Sequence, residues 1–190
     1  MCKLRYATSD AWVEAVMNDF DAFLIDHAAA EKKASGMAVS MLSHYPDRPE
    51  LVKAMIDLSI EEMTHFREVV KIMHERGLIL GADKKDHYVL NLRKLQRKGS
   101  DVYFLDRLLI AGIIEARGCE RFGLVAQALP DGMLKNFYVA IAESESRHEN
   151  LFVDLARNYF SGDQIDARLD TLLNDEAQIC AELPIVAALH

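Results

Sequence analysis

Glu62-x-x-His65 and Glu145-x-x-His148 are the two places in this chain where residue types and spacing best suit chemistry. A three-residue step on a helix puts a carboxylate and an imidazole on one face. One such motif carries little weight in a chain rich in acids. The pair gains weight from what precedes it. Glu31 lies 31 residues before Glu62, and Glu115 lies 30 residues before Glu145. One Glu from each of two helices, plus Glu-x-x-His from each of two more, is a ligand set for two metal ions inside a helical bundle. The predicted ligands are therefore Glu31, Glu62, His65, Glu115, Glu145 and His148.

The elements that must position them can be read as apolar stripes with alternating steps of three and four. Helix one gives Leu24, His27, Glu31, Ala34, Ala38, Met41 and Tyr45. Helix two gives Leu51, Met55, Leu58, Glu62, His65, Val69 and Ile72. Helix three gives Phe104, Leu108, Ala111, Glu115, Gly118, Phe122, Val125 and Leu129. Helix four gives Leu134, Tyr138, Ile141, Glu145, His148, Phe152, Leu155 and Tyr159. Each stripe is a face that a helix turns to a core, and each is interrupted near its middle by a Glu. A lone buried carboxylate costs several kcal/mol or neutralises itself, and four at one level repel one another. Two cations remove that conflict. A carboxylate-rich set with two imidazoles suits iron or manganese better than zinc. Glu61, Glu120, Glu143 and Glu149 lie off the stripes and are not expected to be ligands. His27 is on a stripe, one turn before Glu31, and reads as a core or supporting histidine. His44, His74 and His87 are expected on surfaces or in connections, and Trp12 in packing.

Helical signals place helix one at Thr8–Tyr45, either continuous or broken near Asn18. Helix two runs from Pro49 to Gly77, with Pro suited to the first turn and Gly to the stop. Helix three runs from Ser100 to about Leu129, helix four from Asp131 to Ser161-Gly162, and helix five from Asp163 to Leu183. No segment alternates like a strand. Connections run short, long, short, with Leu78 to Gly99 in the middle and Val89 to Lys98 open to being helical. That connectivity is ferritin-like: an all-α four-helix bundle with one long crossover between helices two and three, plus a fifth helix. The expectation is one domain over residues 1–190.

Bulk composition agrees. The chain is 51% hydrophobic and 27% charged, with four Pro and nine Gly, which describes a globular rather than a disordered chain. Its net charge of −8 excludes a generally basic nucleic-acid-coating surface. The crossover differs locally: Lys84, Lys85, Arg93, Lys94, Arg97 and Lys98 face only Asp83 and Asp86. Such a patch can contact phosphates, and it can equally be a solvated loop. Cys2, Cys119 and Cys180 are odd in number and far apart, which suits reduced thiols in a cytoplasmic protein. No run is long and apolar enough for a bilayer, so no membrane partner is expected.

Four segments carry a resemblance: Asp26 to Ala34, Glu61 to Phe66, Ile114 to Phe122 and Glu143 to Glu149. Together they resemble the tRNA-(2-methylthio-N6-isopentenyladenosine) hydroxylase family, known as MiaE. The resemblance implies a non-haem di-iron monooxygenase. Two iron ions, dioxygen as co-substrate and an external electron donor would hydroxylate the isopentenyl group of a hypermodified adenosine beside the tRNA anticodon. The family ligands fall on the six residues named above without substitution. In related di-iron oxygenases the residue before a ligand Glu hydrogen-bonds an imidazole, which here points to Glu61 and Ser144. Some carry a hydroxyl residue one turn after the helix-three Glu, where this chain has Cys119. The resemblance also makes tRNA the partner for which the crossover cations are candidates. The competing expectation is a ferritin-like or rubrerythrin-like protein that oxidises iron or scavenges peroxide.

Overall fold

A computed structural model describes residues 3–190, apart from the side chain of residue 149. Cys2 and the side chain of Glu149 thus lie outside the described residues. Seven helices make up the described chain, with no strand: α1 (Asp10–Asn18), α2 (Phe20–His44), α3 (Pro49–Glu75), α4 (His87–Lys94), α5 (Ser100–Ala128), α6 (Met133–Arg157) and α7 (Gly162–Glu182).

Five helices were expected, and the two extra ones have local causes. Helix one is broken, and Asp19 makes the break by accepting a hydrogen bond from the Ala22 N–H as the N-cap of α2. In the crossover, Asp86 accepts from the Val89 N–H and caps α4. That helix starts at His87 and stops at Lys94, short of the expected Lys98. The other ends follow their punctuation. Pro49 opens α3, and Gly77 follows it with φ +73°, a left-handed conformation that suits glycine. Gly99, at φ +116°, turns the chain into α5. Ser161 and Gln164 form a reciprocal capping box at the start of α7.

The chain divides into two compact units. One holds residues 14–84 with 186–189, and its body is α2 packed along α3. The other holds residues up to 13, residues 85–185 and residue 190. Its body is α5 packed along α6, with α7 against α4, α5 and α6. The turns between α2 and α3, and between α5 and α6, are short, so each pair is an antiparallel hairpin. The stripes hold with small shifts. Ser35 and Met73 are buried where Ala34 and Ile72 were expected, and Tyr45 and Leu134 are half-buried. α5 is buried on nearly every side, because α7 covers the face away from its stripe.

That second face is held by charge. Arg117 and Glu176 are both fully buried, and the Arg117 Nη2–H donates to Glu176 Oε1 at 2.8 Å. Tyr88 donates to the same oxygen at 3.0 Å. Arg117 also donates to Glu120, which accepts from the Thr8 N–H at 3.0 Å and the Thr8 hydroxyl at 2.7 Å. The Arg121 guanidinium lies 4.9 Å from the centre of the Trp12 ring. The N-terminal segment is thereby tied onto α5.

A second buried carboxylate, Asp106 on α5, joins the segment after α4 to α7. It accepts from the Arg97 backbone N–H at 2.8 Å, from Arg97 Nη2 at 2.7 Å and from Arg168 Nε at 2.8 Å. Burial alone would raise the Asp106 pKa, but these donors hold it below the ordinary carboxylate value. Its contribution to stability is therefore present above about pH 4 and lost as pH falls through the lowered folded-state pKa. Asp106→Ala leaves the Arg168 cation half-stranded. It is expected to cost about 3–5 kcal/mol at pH 7, or roughly 6–20 °C in melting temperature. Thermal unfolding at pH 7 checks this, and a variant melting within a degree of wild type would remove Asp106 as a structural keystone.

Candidate metal centre

Within the α2–α3 hairpin, Glu31, Glu62 and His65 offer ligand atoms that all lie within 4.8 Å of one another. His65 Nδ1 is 3.5 Å from Glu31 Oε2 and 3.7 Å from Glu62 Oε2. Both carboxylates are buried, at 3% and 1% exposure, whereas the His65 side chain is 13% exposed. Within the α5–α6 hairpin, Glu115, Glu145 and His148 likewise lie within 4.8 Å of one another through one atom each. His148 Nδ1 is 3.3 Å from Glu145 Oε2, and all three residues are buried. Each hairpin thus presents two carboxylates and one imidazole, the same half-set twice.

The repetition extends to what clamps each hairpin. Ser35, one turn after Glu31, donates to the carbonyl of Ser59, three residues before Glu62, at 2.9 Å. Cys119, one turn after Glu115, donates to the carbonyl of Ala142, three residues before Glu145, at 3.3 Å. The two bonds occupy equivalent places and tie each helix pair together beside its ligands. Cys119 accordingly has a clamp's geometry where a proton-delivering hydroxyl was the point of comparison. This equivalence was legible only as a small residue one turn after each Glu, a signal too weak to single out before the pairing was known.

The charges of the α2–α3 cluster depend on one another. Burial would raise the Glu31 pKa, but the hydrogen bond with His27 and the nearby His65 imidazole hold it well below the carboxylate range. Burial would lower His65, yet the Glu31 and Glu62 carboxylates beside it push it up to about 9. Metal binding would require that imidazole in its neutral form. Oxygen-rich, imidazole-containing and buried, the donor set fits two iron or manganese ions.

His27 is fully buried, and its Nε2 lies 2.6 Å from Glu31 Oε1. Ser144 is buried and accepts from Arg147 Nη2 at 3.1 Å. Glu61 is half-buried on α3 and Glu143 is exposed. Glu120 belongs to the Thr8–Arg117 network rather than to the ligand cluster. His44, His74 and His87 are exposed, and Trp12 is buried in packing. Lys84, Lys85, Arg93, Lys94, Arg97 and Lys98 are all exposed. The two acids beside them are engaged: Asp83 pairs with Lys32 at 2.8 Å, and Asp86 caps α4 and meets His190 Nδ1 at 3.0 Å. Arg97 departs from the others, because its guanidinium is tied to buried Asp106.

An all-helical, ferritin-like chain with paired carboxylate–imidazole clusters defines the class: a helical protein whose buried carboxylates and imidazoles could hold metal ions. The particular family follows from comparison with known proteins. Residues 2–190 match the family model described as tRNA-(MS[2]IO[6]A)-hydroxylase (MiaE), and the chain belongs to that family. It is 38% identical over 159 residues to the tRNA 2-(methylsulfanyl)-N(6)-isopentenyladenosine(37) hydroxylase of Pseudomonas putida, covering 84% of this chain and 76% of that protein. It is 31% identical over 144 residues to the enzyme of the same name from Salmonella typhimurium, covering 76% of this chain. The match spans about half, 52%, of the Salmonella protein's length. Among solved structures, a protein from Synechococcus described as having aldehyde deformylating oxygenase activity superposes with a TM-score of 0.92 at 35% identity. That superposition covers 98% of this chain and 94% of the other. Membership in a hydroxylase family supports the hydroxylase reading over the iron-oxidising or peroxide-scavenging alternative. Among the described residues no helix is long and apolar enough to cross a membrane.

Proposed function

We propose that this chain is a dioxygen-dependent di-iron hydroxylase acting on the isopentenyl group of 2-methylthio-N6-isopentenyladenosine in tRNA, next to the anticodon. The observation that carries this reading is the doubled three-ligand cluster, Glu31, Glu62 and His65 in one hairpin and Glu115, Glu145 and His148 in the other. Two half-sets of this kind sum to four carboxylates and two imidazoles, the complement of one di-metal centre in a single four-helix bundle. On this reading residues 1–190 are one domain, with α2, α3, α5 and α6 as the bundle, α4 in the crossover and α7 as the added helix. Cytoplasmic tRNA and an external reductase are its partners.

Two iron ions on these ligands would supply reductive activation of dioxygen for insertion of one oxygen atom into a C–H bond. The balance is fixed by chemistry: C–H, O2, two electrons and two protons give C–OH and water. The chain's own residues set the conditions for it. Burial of the carboxylates keeps bulk water from the ligands and strengthens every charge interaction among them. Glu62 with His65, and Glu145 with His148, are fixed in pairs by helix geometry, so both ligands of a pair arrive pre-oriented. Ser35 and Cys119 hold the helix pairs in register beside them, and Glu61 and Ser144 are the supporting candidates next to ligand carboxylates. The crossover cations would position the anticodon arm by its phosphates while the modified base is read near the metals.

Nucleoside analysis of tRNA from cells with and without the gene tests the reading. The hydroxylated isopentenyl nucleoside is expected to vanish in the deletion and its unhydroxylated precursor to accumulate. An unchanged nucleoside profile would defeat the tRNA assignment and turn attention to small apolar substrates such as aldehydes.

A further inference from the structure

The two hairpins repeat each other in ligands and in the placing of their clamps, and one difference between them lies a turn before the first Glu of each. Four residues before Glu31 stands His27, and four residues before Glu115 stands Ala111. Both are buried. Only the first can form a hydrogen bond with its side chain. The His27 ring sits on Phe23, with centroids 6.1 Å apart, and its Nε2 lies 2.6 Å from Glu31 Oε1. An ionised carboxylate accepts only, so Nε2 carries the proton and donates it. Oε1 is thereby engaged, and Oε2 is the oxygen turned to His65, at 3.5 Å. Glu31 is left with one oxygen directed into the ligand cluster. A donor behind a ligand carboxylate fixes its orientation and limits its basicity.

We propose that His27 is a positioning residue that holds Glu31 to one-oxygen coordination and so makes the two metal positions of the centre unequal. This inference rests on the six-ligand reading above. Its content is separate: a site nearly symmetric in its ligands is made asymmetric by one buried histidine on α2 that has no counterpart on α5. Two ions then bind with different affinities, and the ion next to Glu31 is the one that depends on His27.

Metal-stripped protein titrated anaerobically with Fe2+ by calorimetry, and in parallel with Co2+ by its visible absorption, tests it. The wild type should take up two ions in two resolvable steps. His27→Phe keeps a ring against Phe23 and removes the donor; His27→Ala removes both. In each, one step should weaken by about 10- to 100-fold while the other is unchanged, the usual cost of losing a partner behind a ligand. The Co2+ spectrum of the weakened step should shift. His27→Gln restores an N–H for Oε1 and should recover most of the affinity and the original spectrum. Unaltered steps and spectra in the Phe variant, equal weakening of both steps, or a Gln variant no better than Phe would overturn the proposal. Uptake of fewer than two ions by the wild type would instead overturn the six-ligand reading.

Discussion

Glu115→Ala or Glu145→Ala is expected to take the protein from about two bound metal ions per chain to one or none, with hydroxylation lost. Both residues are buried, at 6% and 3% exposure, so neither can be replaced by a neighbouring surface acid. The effect should be separable from unfolding. Without metal, removing one of several close carboxylates relieves like-charge repulsion, so the apo variant should melt at or above the apo wild type. What should disappear is stabilisation by added metal. An ion at a hundred times its dissociation constant stabilises the fold by about 2.7 kcal/mol, roughly 5–11 °C for a chain of this size. Glu120→Ala is the matched control. Residue 120 is on α5 too, but its carboxylate is committed to Thr8 and Arg117. That variant should keep both ions and lose stability instead. Metal analysis by mass spectrometry and melting with and without Fe2+ decide the matter. Full metal occupancy in Glu115→Ala together with loss in Glu120→Ala would reverse the assignment on α5.

The sequence reveals this ligand set because a charged residue in an apolar stripe is costly wherever the stripe is buried. Glu31, Glu62, Glu115 and Glu145 stood out for that reason, and burial of all four follows from the same periodicity. Glu176 obeys the same rule with a different outcome. It sits among Ile165, Leu172, Leu173 and Cys180, the buried positions of α7. No histidine stands three residues after it, so its answer to burial is an ion pair, and its partner Arg117 is remote in sequence. Pairing of that kind depends on which helices pack together, which a stripe on one helix does not encode. Arg117 lies on the far side of α5 from Glu115, and the packing of α7 makes that side interior. Asp19 and Asp86 show the opposite limit. Each is an ordinary N-cap residue, yet sequence alone left open whether the first helix was broken at one and where the crossover helix began at the other.

The crossover prediction follows from the same distinction between residues that hold the fold and residues that face solvent. Arg93→Ala, Lys94→Ala and Lys98→Ala together are expected to weaken tRNA binding and flatten its salt dependence. All three side chains are exposed, and alanine preserves the helical preference of α4. Arg97 is left intact, because its guanidinium supports Asp106, which also holds Arg168, so its loss would disturb α5 and α7 at once. Each phosphate contact removed should reduce the slope of log K against log salt by roughly 0.7 to 0.9. Three lost contacts amount to a slope change of about 2 to 3 and, near 0.15 M salt, a loss on the order of a hundredfold in affinity. Metal content and melting temperature should be unchanged, which separates this variant from Asp106→Ala and Glu115→Ala. A short prenylated nucleoside makes no contact with such a patch, so its turnover should fall far less than that of whole tRNA. Binding measured across a salt series, with turnover on both substrates, checks all of this. Equal losses on nucleoside and tRNA would give the crossover a role at the active centre. A tRNA salt slope identical to wild type would show that these cations are solvated and that the phosphate contacts lie on another face.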